Sequence, residues 1–107
     1  MSKISLSFLV VLFGIAGRAN AVSGNELAQS CRGQESNSRW GFCVGYVVGV
    51  IDQARDTKEE LCIPTEAIQS QVARVATKWF DSNPDRLHFS ASSLVRTALN
   101  ESYPCKR

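Results

Sequence analysis

The apolar positions of this chain change rhythm several times, and each rhythm predicts a different element. From Ile4 to Ile15 the residues are apolar with only Ser5, Ser7 and Gly14 between them. Met1-Ser2-Lys3 precedes this run with a basic charge, and Ala19-Asn20-Ala21 follows it with small residues where a signal peptidase reads. That order is the secretory pattern. The run is shorter than the ~20 residues a membrane span needs. The expectation is a cleaved signal peptide over residues 1–21 and a mature domain over 22–107; an uncleaved anchor is the competing reading. No cysteine directly follows the small residues, which argues against a lipoprotein.

Beyond residue 21 the pattern predicts four helices and no strands. Ser23 with Glu26 three residues on is a capping box opening the first, with Leu27, Ala28 and Cys31 at helical spacing and Gly33 as its stop. The second is expected over about Arg39 to Arg55. Its β-branched residues and glycines argue for a buried strand instead, since each helical Gly costs about 1 kcal/mol relative to Ala. Some 16 residues without a turn signal is long for a strand, and Gly41, Gly45 and Gly49 would form one stripe along a helix. That stripe suggests close packing at Gly45 and Gly49, within the monomer or across a dimer, with Tyr46 and Asp52 as further packing positions. On this reading Gly45→Leu destabilises by overpacking or by lost assembly.

The third helix is expected after Cys62-Ile63-Pro64, with Pro64 and Glu66 in its first turn. Ile68, Val72, Val75, Ala76, Trp79 and Phe80 form its apolar stripe, and Asn83-Pro84 ends it. The fourth starts near Ser90, an N-cap type, and buries Ala91, Leu94, Val95, Ala98 and Leu99 before Tyr103-Pro104. The fold class is therefore all-α: a small four-helix domain after a cleaved signal peptide.

Charge adds one exclusion. The chain carries 12 Lys+Arg and 10 Asp+Glu, a net charge of +2. Cleavage after Ala21 removes Lys3 and Arg18 and leaves the domain neutral. Such a domain has no general electrostatic pull toward nucleic acid or anionic lipid. Its length fits one domain.

All four cysteines, Cys31, Cys43, Cys62 and Cys105, lie in the mature part. An even count in a small exported domain reads as a disulfide framework. No pair has CxxC spacing, so a thioredoxin-like centre is unsupported. A zinc site would need all four thiolates, because there is one histidine, and it lacks the usual close-spaced pairs. Three connectivities are open. The helix reading favours Cys31–Cys43 and Cys62–Cys105, since antiparallel third and fourth helices bring Cys105 beside Cys62. In the chain-entropy model the two loops contribute about 3 and 4 kcal/mol.

Catalytic equipment is sparse. His88 reads as a capping or packing residue. Ser90, His88 and Asp85 are too close in sequence to reach triad geometry, and no nucleophile elbow is present. No phosphate-binding, HExxH or EF-hand pattern occurs. Asp52 and Asp56 share a helix face but read as a solvated surface, and Asn100-Glu101-Ser102 matches a glycosylation sequon that matters only in a eukaryotic secretory pathway. Trp79 reads as core, and Trp40 as either core or an interface anchor. No cofactor and no metal is expected, and the domain reads as a binding module rather than an enzyme.

Several segments resemble one family. Cys43 to Asp52 is similar to the CxGYxxGxxD helix of the Rap1a/Tai immunity proteins. Cys62-Ile63-Pro64 with Gln71, Asn83-Pro84 through Ala91, Leu94-Val95, Ala98-Leu99 and Tyr103-Pro104-Cys105 resemble that family's further segments, in order. The resemblance implies a small periplasmic helical protein, often dimeric, that binds and occludes a peptidoglycan amidase delivered by a type VI secretion system and so protects the producing cell. A protein partner and a homodimer follow from it; no partner-binding residue does, because the matched positions are scaffold. A periplasmic helical stress or chaperone-like protein with no amidase partner is the alternative.

Overall fold

The computed structural model describes residues 21–106. The signal peptide expected over 1–21 lies outside them except for Ala21. Among the described residues, four α-helices form one bundle: α1 (Gly24–Cys31), α2 (Ser38–Asp56), α3 (Gln69–Ser82) and α4 (Ala91–Ser102), with a short 3₁₀ turn at Pro84–Arg86. No strand is present among these residues; an isolated bridge pairs Ser23 with Ser90. No described helix is long and apolar enough to cross a membrane.

Two of the four helices begin with a side chain that caps a free amide, and two do not. Ser23 caps α1 by accepting from Glu26 N at 3.2 Å, and its hydroxyl donates to Glu26 Oε1. Asn37 caps α2 by accepting from Arg39 N at 2.8 Å. Ser90 precedes α4, but its hydroxyl bonds Ser93 Oγ rather than a backbone amide. The start of α3 departs furthest from expectation. It starts at Gln69, not in the turn containing Pro64 and Glu66, and Ile68 at its N-cap offers no side-chain acceptor. The physical reason lies upstream. Ile63 precedes proline and is disfavoured from helical backbone. Cys62 is bridged to the C-terminal tail, and Leu61 and Ile63 pack against the core as irregular chain. Consequently Ile68 leaves the expected apolar stripe and is 64% exposed.

The core is drawn from one face of each helix. Leu27 and Ala28 of α1 meet Cys43, Val47 and Ile51 of α2, Ala73, Ala76 and Phe80 of α3, and Leu94, Val95, Ala98 and Leu99 of α4. Phe80, Leu27 and Leu99 are the largest fully buried side chains. Trp79 is 8% and Trp40 is 6% exposed, so both belong to this core. The structure carries Cys31–Cys43 and Cys62–Cys105 bridges. The first joins the end of α1 to the start of α2; the second ties the segment before α3 to the tail after α4.

The glycine stripe takes the opposite side from the one expected within the monomer. On α2 the core side is occupied by Trp40, Cys43, Val47, Val50, Ile51 and Ala54. Their spacing turns Gly41, Gly45 and Gly49 outward, and a Cβ built on any of the three meets no neighbouring atom within 4 Å among the described residues. Asp52 is likewise exposed, while Tyr46 is partly buried against the core. Close helix packing at Gly45, Gly49 and Asp52 inside the monomer is therefore corrected. Gly24 is held more tightly: a Cβ there would run into Leu94 Cδ1 and lie 2.7 Å from the Leu87 carbonyl oxygen.

Candidate binding surface

An exposed apolar surface follows from how α2 is turned. With its β-branched residues inward, α2 presents a ridge of bare backbone at Gly41, Gly45 and Gly49. Phe42 stands beside the ridge, 48% exposed, with its ring 6.0 Å from that of Tyr46. On one side of the ridge, Tyr46, Gly49 and Val50 line a groove of about 360 Å³ closed by Ser92 and Arg96 of α4. On the other, Trp40, Val44 and Ile68 line a broader open groove of about 830 Å³ running toward the start of α3. Both grooves are shallow and open, the shape that suits a protein surface more than an enclosed small molecule.

The charged groups at the edge of the bundle are engaged with structure. The Arg74 guanidinium lies 5.0 Å above the Trp40 ring and pairs with Glu35. The Arg86 guanidinium lies 5.8 Å above the Trp79 ring, and Trp79 Nε1 donates to Glu101 Oε2 at 3.2 Å. Each tryptophan thus has an arginine over its ring, and each of those arginines has a glutamate beside it. Arg32 with Asp81 and Arg96 with Glu59 add exposed ion pairs at 3.2 and 3.6 Å.

The residues weighed for chemistry are not assembled into a reactive centre. His88 is exposed, its ring 4.2 Å from that of Phe89. The Ser90 hydroxyl is bonded to Ser93 at 2.9 Å. Asp52 and Asp56 both face solvent. Glu60 places a carboxylate oxygen 3.8 Å from Cys62 Sγ beside Cys105, but both sulfurs are spent in the bridge and carry no proton or lone thiolate for a metal.

Two features were not legible in sequence. The chain before α1 docks on the turn before α4: Ala91 N donates to the Val22 carbonyl at 2.9 Å, Gly24 N to Phe89 at 2.8 Å and Asn25 N to Leu87 at 2.7 Å. These bonds join residues far apart in sequence and leave no periodic trace. The second is the pair of arginine covers over Trp40 and Trp79, for which no spacing rule exists.

Comparison with known families gives one match, to a model described as Rap1a immunity proteins, over residues 23–105. No curated protein matches. The matched span runs from the cap of α1 to the last bridged cysteine, the whole bundle described above.

Proposed function

Because this chain belongs to the Rap1a immunity protein family, we propose that it is a periplasmic immunity protein that binds and occludes a type VI-secreted peptidoglycan amidase. The observation that carries this reading is the family match across the entire bundle. On this account residues 1–21 are a signal peptide that delivers the domain to the compartment where the wall is attacked. Two bridges suit an oxidising compartment. Inhibition proceeds by surface complementarity and needs no reaction: the domain covers the amidase cleft and water and substrate no longer reach it.

A standard interface buries about 800 Å² on each partner, an area a bundle of this size can offer. The outer face of α2 is the surface best suited to a second copy of this chain. Its glycine ridge permits backbone approach, and Phe42 of each protomer has a groove to enter.

The test is co-expression. Any amidase found encoded beside this gene is directed to the periplasm with and without this protein. The expected outcome is lysis in its absence, survival in its presence, and recovery of the two as one complex. Lysis regardless of this protein, with no complex recovered, overturns the proposal.

A further inference from the structure

We propose that the Cys62–Cys105 bridge is a reducible clasp, opened by a dithiol while Cys31–Cys43 stays closed, and that its opening releases the segment 57–68 from α2 and α3. The two bridges sit in unlike surroundings. Cys31 and Cys43 are 3% and 0% exposed. A thiolate must reach a sulfur in line with the S–S bond, and here it cannot do so without unpacking the core. Cys62 and Cys105 are both partly exposed.

What the bridges hold also differs. Cys31–Cys43 joins two helices, each kept by its own backbone bonds. Cys62–Cys105 joins two irregular stretches, the segment 57–68 and the tail beyond Tyr103. The backbone bonds of that segment are local: Glu59 N donates to Ala54 at 2.8 Å and Ala67 N to Pro64 at 3.1 Å. Besides the bridge, its longer-range ties are the exposed Glu59–Arg96 pair and the partial burial of Leu61, Ile63 and Ala67. A cavity of about 290 Å³ lies between Ile63 and Ala67 on one side and Ile51 and Val72 on the other. The segment is thus seated loosely, with a covalent tie near its middle. Segments with few buried contacts and local backbone bonds open at the lowest free energy.

The chemistry is a dithiol–disulfide exchange. One thiolate of the reductant attacks a bridge sulfur and expels the other cysteine as a thiolate, leaving a mixed disulfide. The second thiol of the reductant then displaces the bound cysteine. Two electrons and two protons pass to Cys62 and Cys105, and the reductant becomes a disulfide.

The experiment exposes the folded, oxidised protein to graded dithiothreitol, quenches with iodoacetamide and maps the labelled cysteines. Cys62 and Cys105 are expected to take label about tenfold sooner than Cys31 and Cys43, in keeping with their access. At that stage trypsin cuts after Lys58 about tenfold faster, with the helical circular-dichroism signal kept. The double variant Cys62→Ser, Cys105→Ser shows the same trypsin sensitivity without reductant. Equal labelling of all four cysteines, or earlier labelling of Cys31 and Cys43, overturns the proposal. So does a Lys58 site that stays as resistant after reduction as before, or loss of the helical signal once Cys62–Cys105 alone is open.

Discussion

Gly24 and Gly45 are the same residue type under opposite constraints, and the difference yields predictions of opposite sign. Gly24 lies where the chain before α1 crosses the turn before α4, against Leu87 backbone and Leu94. Gly24→Ala drives a methyl group into a carbonyl oxygen and is expected to cost about 1–3 kcal/mol, read as an earlier urea midpoint. Gly45 faces open space. Gly45→Ala is expected to raise the stability of the monomer by about 1 kcal/mol through helix propensity alone. Gly45→Leu likewise leaves the monomer folded, against overpacking within the monomer; sedimentation then reports whether a second copy uses this face. A destabilised Gly45→Ala monomer would show that the ridge is packed after all. Sequence spacing revealed the stripe but not the way it turns, because positions four apart share a face whichever way a helix is rotated. Gly24 was overlooked, as its constraint comes from Leu87 and Leu94, far along the chain.

At the scale of elements, the helices with a local start signal were the ones placed closely. The Ser23–Glu26 pair and the polar loop before Arg39 gave α1 and α2 to within a residue or two of their observed starts. Ser23→Ala is expected to cost about 1 kcal/mol, measured by urea titration, as it removes the acceptor for Glu26 N. The start of α3 was misplaced because Pro64 satisfies two rules at once, favouring a first helical turn and disfavouring helix at Ile63. The bridge at Cys62 and the packing of Leu61 and Ile63 settle the competition in favour of irregular chain. Long-range anchoring of this kind has no local signature. The network at the other end of α3 was equally invisible. Glu101→Ala leaves Trp79 Nε1 without its acceptor and Arg86 without its counter-charge. It is expected to cost about 1 kcal/mol, with a shift in tryptophan fluorescence as the accompanying sign; an unchanged melt and spectrum would count against that role.

Across the whole molecule, the legible part of the site was its scaffold. Four cysteines in a small domain implied two bridges, and amphipathic stripes implied a bundle; both are present. The binding surface was not legible, because exposed positions obey no periodicity and Phe42 and Ile68 look in sequence like any core residue. The structure gives the reason a binding reading fits. Arg74 lies over the Trp40 ring, Trp79 Nε1 is bonded to Glu101, His88 and the aspartates face solvent, and an apolar ridge stands open between two shallow grooves. The account's central claim is that the domain acts by covering a partner and performs no reaction of its own. Its most direct test adds the purified protein stepwise to any amidase found encoded beside its gene, during hydrolysis of peptidoglycan fragments. Turnover is predicted to fall linearly to nothing at one equivalent, with this protein alone releasing no product; amidase turnover unchanged at excess, or fragments cleaved by this protein itself, would contradict it.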